Sequence, residues 1–331
     1  MTIRFLLAAA AIAVAGTGAS ASSFSDPYTS FWALGDSLTD NGNTFAFAPT
    51  AIPSPPYFNG RVSSGPTYAE YLAADFTAQG KPTDNLAFSG ALAVANGDLI
   101  PDLGLQGFAP VPIYADGGTG LAGRAAQFGA RPLVSLFFGS NDVLDALGRG
   151  EDAGAAATAA AGEVLAGIAG LSTFGVRDFL VLGLPDFGLI PRLNGLPSPV
   201  RDAATAAART FDEAIAAGLG GLPPAVQVTQ IDVFTAIRDL VDDPDPLGLT
   251  NTTDACLTFG VDADGDRTIT GLCTDPSVYA FFDDIHPTGT VHAALADTVR
   301  VTVAPVPLPA AGWALLAGLG GLAALTRRRA G

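Results

Sequence analysis

The chain has 331 residues, 49% hydrophobic and 15% charged, with a formal net charge of −16. That is enough apolar material to build one large α/β domain. So acidic a surface argues against nucleic acid and against charge-driven docking on anionic lipid heads.

Residues 1–21 read as a cleaved export signal. Arg4 gives a basic start, residues 5–14 are apolar, and Ala19-Ser20-Ala21 is a small-x-small cleavage site that makes Ser22 the first mature residue. An apolar run at 31–34 predicts a buried strand, and it ends in Gly35-Asp36-Ser37-Leu38-Thr39-Asp40-Asn41-Gly42-Asn43. Residues 44–66 are rich in Pro, Gly and Ser and carry Phe45, Phe47, Tyr57 and Phe58. The segment predicts a loop that either walls the substrate site or encloses a small core of its own. A helix is expected over 67–79, with Tyr68, Tyr71, Leu72 and Phe76 on its apolar side, and a glycine-rich irregular stretch over 97–123 is expected to line the same cleft.

Further strands are expected at 133–138, 179–182 and 226–231, and helices at 153–171 and 198–219. Continuous apolar strands alternating with helices predict an α/β fold with a central parallel sheet covered on both faces. Asp262-Ala263-Asp264-Gly265-Asp266 opens like a calcium loop. Its sixth position is Arg267 and its twelfth is Cys273, where glycine and glutamate are required, so an EF-hand is not expected; a weak surface calcium site stays open, and no catalytic metal is assigned. The two cysteines, Cys256 and Cys273, are expected to pair in an oxidising compartment and to support the segment that follows. No nucleotide loop, haem motif or zinc spacing is present, so no cofactor is expected.

The chain ends in Val306-Pro307-Leu308-Pro309-Ala310, an apolar run from 311 to 325, and Arg327-Arg328-Arg329. A helix over 310–325 would span roughly 24 Å, slightly short of a bilayer core, with the arginines held on the cytoplasmic side. The organisation expected is therefore 1–21 leader, 22–303 domain and 304–331 tail.

Ser37 is the candidate nucleophile, because a strand end that turns sharply can leave its Oγ exposed. It needs a base, and the chain has two histidines. His286 precedes Pro287 and so favours an extended loop position, whereas His292 lies in an alanine-rich helical stretch as a packing or capping residue. Asp283 can meet His286 three residues on, with Asp284 as its competitor.

The nucleophile block, Asn85-Leu86-Ala87-Phe88-Ser89-Gly90-Ala91, Gly139-Ser140-Asn141-Asp142 and Asp283-Asp284-Ile285-His286-Pro287-Thr288 follow one another in order. In these blocks the chain resembles the GDSL, or SGNH, esterases and lipases, specifically the bacterial lecithinase and haemolysin-like branch. The family often has Gly-Gly where this chain has Ser89-Gly90. The resemblance implies a flavodoxin-like three-layer α/β/α sandwich (the SGNH hydrolase fold). It also implies a Ser37–His286–Asp283 triad with the Asp-x-x-His spacing, and an oxyanion hole from the Ser37 and Gly90 backbone N–H groups and the Asn141 side chain. The expected activity is hydrolysis of carboxylic esters through an acyl-enzyme. The substrate would be an acyl ester, a phospholipid or an acetylated polysaccharide, and the apolar residues of 44–66 lean toward an acyl chain. An acyltransferase with the same residues, or a surface protein that keeps the fold without activity, is the alternative. The tail resembles the PEP-CTERM sorting signals in their Val-Pro-Leu-Pro-Ala variant. That implies an exosortase-type processing partner, transient inner-membrane anchoring, and export to the cell surface, matrix or medium.

Overall fold

In chain order the elements are β1 (Ser30–Gly35), α1 (Asn43–Phe47), α2 (Tyr68–Thr77), β2 (Thr83–Asn85), α3 (Leu103–Phe108), β3 (Pro132–Phe137), α4 (Ser140–Arg149), α5 (Ala153–Ser172) and β4 (Asp178–Leu182). There follow α6 (Pro191–Asn194), α7 (Ser198–Gly218), β5 (Gln227–Ile231), α8 (Val233–Asp242), β6 (Asn251–Ala255), β7 (Leu257–Val261), β8 (Arg267–Leu272), β9 (Tyr279–Phe281) and α9 (Gly289–Val303). They come from a computed structural model that describes residues 23–303 except 96, 98, 99, 109–119, 263, 264 and 266. The expected leader and tail, much of the 97–123 stretch and most of the calcium-like loop lie outside the described residues.

β1 to β5 form one sheet in the order β2-β1-β3-β4-β5, with every neighbouring pair parallel. This is the flavodoxin-like strand order. β1, β3 and β4 are buried along their whole length, as continuous apolar runs in a doubly covered sheet must be. Alternate residues feed two cores. Trp32, Leu34, Val134, Leu136, Phe179 and Val181 pack with Val164 and Ile168 of α5 and Phe211 and Ile215 of α7. Phe31, Ala33, Leu133, Phe137, Leu180 and Leu182 pack with Leu72 and Phe76 of α2 and Ala296 and Val299 of α9. The result is the expected three-layer α/β/α arrangement.

Helix starts are set locally. Thr67 and Glu70 form a capping box at α2, and the Asp152 carboxylate accepts from the N–H groups of Gly154 and Ala155 at 2.9 and 3.0 Å at α5. Among the described helices α5 is long and apolar enough to cross a membrane. It buries Val164, Gly167, Ile168 and Leu171 in the domain, as a core helix does.

The region 251–281 was not expected to hold strands. β6 pairs with β9 in parallel, and β7 pairs with β8 as an antiparallel hairpin. Cys256 and Cys273 are joined by a disulfide at the base of this hairpin, where Cys273 N–H donates to Cys256 O at 2.8 Å. The N–H groups of Cys256 and Leu257 donate to the carbonyls of Phe281 and Phe282 at 3.1 and 2.6 Å. The cross-link therefore braces the chain immediately before Asp283.

Candidate active site

The carboxyl ends of β1 and β3 flank the point where strand order reverses, the place where open α/β sheets bind ligands. β1 delivers the turn that carries Ser37, and Gly35 is required there by space. A Cβ at Gly35 would lie 2.5 Å from Thr39 Oγ1 and 2.8 Å from the carbonyl of Phe137. β2 ends opposite Ala33, and the buried Gln106 amide bonds the backbone of Gly35 beyond that point. Its Oε1 accepts Gly35 N–H at 2.9 Å and its Nε2 donates to Gly35 O at 2.9 Å. Asp36 is wholly buried and its Oδ1 accepts Leu38 N–H at 2.9 Å, which closes the turn. Burial pushes its carboxyl up to about 7, against the Leu38 N–H and the nearby His286 charge, which favour ionisation.

Ser37 Oγ lies 2.8 Å from His286 Nε2. His286 Nδ1 lies 2.9 and 2.8 Å from the two carboxylate oxygens of Asp283. The carboxylate accepts, so Nδ1 carries the proton and Nε2 is left to accept from the serine hydroxyl. Asp283 Oδ1 also accepts the N–H groups of Ile285 and His286 at 2.9 and 2.7 Å, and Tyr57 donates its hydroxyl to Oδ2 at 2.6 Å. Burial alone would raise the Asp283 carboxyl. The His286 charge and the hydrogen bonds from His286 and Tyr57 outweigh it and hold the group well below the usual carboxylate range. Burial likewise opposes a charged His286, but Asp283, with help from Asp36, raises its pKa overall. Asp284, the rival acid, points elsewhere and forms a two-pronged pair with Arg192 at 2.9 and 3.2 Å.

The polar residues after Ser37 hold a second loop. Asp40, fully buried, accepts the N–H groups of Gly42, Asn43 and Thr44 at 2.8, 2.7 and 3.2 Å. It also accepts both the N–H and the Oγ–H of Ser89 at 2.9 Å. Asn43 Nδ2 donates to the carbonyls of Asn85 and Ala87, each at 2.9 Å. Ser89, where the family often has glycine, thus adds one more donor to Asp40. From the other side Asn141 Nδ2 donates to Ala91 O at 2.9 Å, and Asp142 accepts the N–H groups of Ala93 and Val94 at 2.9 and 3.0 Å. Between these clamps Gly90 is exposed at φ +86°, a conformation that favours glycine. Among the described residues neither Ser37 N–H nor Gly90 N–H has a protein acceptor. Asn141 spends one of its two amide hydrogens on Ala91, and the other stays available. The nucleophile block signals Asp40 and Asn43 only as polar neighbours of Ser37; their role as a clamp follows from the fold.

Ser37, Asn141 and His286 open onto a cavity of about 820 Å³, within the range of small-molecule sites. Its apolar wall comes from Leu144 of α4, Ile237 and Leu240 of α8, Leu247 in the turn after α8, and Leu295 of α9, and exposed Asp239, Asp242 and Asp243 stand beside it. The aromatic segment 44–66 does not line it. That segment instead encloses a satellite core in which Ile52, Tyr57 and Val62 pack with Cys256, Leu257 and Phe282.

His292 lies in α9 as a packing residue, 1% exposed, with Nδ1 accepting Tyr68 N–H at 3.3 Å. Burial, and then the charge of His286, push it down to about 3. A histidine neutral in the folded state takes up its proton only on unfolding, so its contribution to stability is complete above about pH 6.5 and is lost as pH falls toward 3. In His292→Leu this acid loss should shrink by on the order of 3 kcal/mol, read from urea unfolding midpoints between pH 3.5 and 7.5. Asp36 works with the opposite sign. Its carboxyl is raised, so its contribution is greatest below about pH 4 and declines as pH rises toward 7.

Comparison with known proteins gives the same family as the motifs. The chain is 27% identical over 274 residues to the thermolabile hemolysin of Vibrio parahaemolyticus, covering 80% of this chain and 61% of that protein. It is 28% identical over 224 residues to the phosphatidylcholine-sterol acyltransferase of Aeromonas hydrophila, covering 67% of this chain and 64% of that protein. The chain thus spans less than two thirds of the length of these relatives. Solved structures that align with it include phospholipase A1 from Streptomyces albidoflavus, at 18% identity and a TM-score of 0.43 over 84% of this chain and 100% of that one. The sequence profile of the GDSL-like lipase/acylhydrolases matches residues 31–299, and the chain belongs to that family.

Proposed function

We propose that the protein is a serine esterase or lipase that cleaves esters of apolar acyl chains through an acyl-enzyme on Ser37. The observation that carries this reading is the continuous chain of hydrogen bonds from Ser37 Oγ through His286 to Asp283, opening onto an apolar cavity. In the reaction the Ser37 hydroxyl attacks the ester carbonyl while His286 Nε2 takes its proton, and Asp283 stabilises the imidazolium. The carbonyl oxygen, now negative, is met by the N–H groups of Ser37 and Gly90 and by the Asn141 amide. His286 then returns the proton to the departing alkoxide. Water, activated by the same imidazole, releases the acid and restores Ser37. An acyl acceptor other than water would use the same residues, and kinship to an acyltransferase favours this as the second reading. Acetyl groups on a polysaccharide would leave most of the cavity unfilled.

The protein is read as three segments, a leader at 1–21, the catalytic domain at 22–303 and a sorting tail at 304–331. It is exported, with its tail handled by an exosortase-type enzyme after transient anchoring in the inner membrane. The disulfide and the leader composition support export. The decisive assay is turnover of p-nitrophenyl esters from acetate to palmitate. Burial of each added methylene contributes about 0.8 kcal/mol, so kcat/KM should climb about fourfold per carbon, or about 15-fold per two carbons, until the cavity is filled. Greatest activity on acetate, with steady decline beyond it, would overturn the acyl-chain reading.

A further inference from the structure

Tyr57 lies 226 positions from Asp283 in sequence, yet its hydroxyl makes one of the shortest side-chain contacts at the site, 2.6 Å to Oδ2. The two oxygens of Asp283 are supported unequally. Oδ1 has the backbone N–H groups of Ile285 and His286, supplied by its own loop. Oδ2 has, besides the imidazole it shares with Oδ1, the tyrosine hydroxyl. The carboxylate is 2% exposed, so solvent cannot stand in for a missing donor. The tyrosine ring is fixed in turn. It is 7% exposed, meets Phe282 edge-on with centroids 5.4 Å apart, and sits in the satellite core with Ile52, Val62 and Cys256. Packing alone would be met by phenylalanine, so the hydroxyl is the part of this side chain left for another role.

We propose that Tyr57 is a positioning residue for the triad, its hydroxyl holding the Asp283 carboxylate with both oxygens toward His286 Nδ1 and tempering the charge that His286 feels. The inference rests on the reading of Ser37, His286 and Asp283 as the triad. It gives the satellite core a task, since that core fixes the ring that carries the hydroxyl. Removing the hydroxyl leaves Asp283 with one donor fewer, so the carboxylate stabilises the imidazolium more strongly and is less firmly held. The other charged and titratable groups acting on this pair are Asp36, Arg192 with its partner Asp284, and His292, and the substitution leaves them in place.

The test is Tyr57→Phe, which keeps the ring and its contact with Phe282. Turnover of the preferred p-nitrophenyl ester should fall about tenfold in kcat with KM nearly unchanged, the size expected of one hydrogen bond to a charged acceptor. The His286 pKa, followed by NMR of the imidazole C–H groups in untagged protein, should rise by on the order of 0.5 unit, and the acid limb of kcat/KM should move up with it. The chain holds two histidines, so the spectrum is simple to assign. In an Asp283→Asn background the same substitution should add little. An unchanged His286 titration, whether or not the melting temperature drops, would reduce Tyr57 to a packing residue and overturn the proposal. If the wild-type protein turns over no ester, the triad reading fails on its own account. The NMR titration then still decides whether Tyr57 acts on the Asp283–His286 pair.

Discussion

Ser37→Ala is expected to lower ester turnover by about 10⁴–10⁶-fold, with His286→Ala no better and the double variant no worse than either. The non-additivity follows from the geometry. Ser37 Oγ and His286 Nε2 are joined at 2.8 Å, so removing one leaves the other without work to do. Asp283→Asn should also cost about 10⁴-fold, because an amide facing His286 Nδ1 favours the tautomer that cannot accept from Ser37. Stability should separate these variants in the reverse sense. Ser37 sits at the cavity edge, 9% exposed, and its loss should shift the melting temperature little. Asp283 holds four donors in a buried loop, and its loss should be felt in folding. The measurement is steady-state turnover beside thermal melts. Ser37→Ala retaining more than a few per cent of wild-type activity would show that another residue is the nucleophile.

The parts of this molecule that sequence made legible are those where one physical demand dominates. β1, β3 and β4 are buried on both faces, so apart from Ser30, Ser135 and Asp178 their runs are apolar and need no context to be recognised. The motif blocks place Ser37, Asn141 and the Asp283–His286 pair at one candidate site, and the fold brings Ser37, Asn141 and His286 to one cavity with Asp283 bonded to His286; the roles proposed for them rest on that proximity. β2 is not legible, since Thr83-Asp84-Asn85 is a short, half-exposed edge whose pairing is with β1 rather than with any pattern of its own. The hairpin of β7 and β8 is rich in Thr and Gly and reads as loop until the disulfide and the pairing define it. Tyr57 is hidden for another reason. An aromatic in a proline-rich loop has many uses, and only the fold brings it to Asp283. The cavity wall on α8 and α9 was likewise out of reach, because it combines helices far apart in sequence, whereas the aromatics of 44–66 fit either a wall or a small core of their own, and the chain builds the core.

Asn141→Ala should lower kcat by about 100–1,000-fold with KM changed far less, the loss expected when one donor to a developing oxyanion is removed. The size of the loss depends on which hydrogen of the amide faces the substrate. One is committed to Ala91 O at 2.9 Å, which fixes the side chain and at the same time holds the loop bearing Gly90. The substitution therefore removes a donor and loosens a second one, and the two effects need separating. Asp142 offers the means, because its carboxylate pins the N–H groups of Ala93 and Val94 in the same loop without presenting a donor to substrate. Asp142→Asn should loosen the loop and lower kcat by about tenfold at most, about the worth of weakening hydrogen bonds to a charged acceptor. Asn141→Asp should be worse than Asn141→Ala, since it sets a negative charge where negative charge develops. A ranking of Asp142→Asn mildest, Asn141→Ala intermediate and Asn141→Asp most severe would assign the loss to the oxyanion. Equal losses at Asn141→Ala and Asp142→Asn would assign it to the loop, and would move the burden of stabilising the intermediate onto the backbone N–H groups of Ser37 and Gly90.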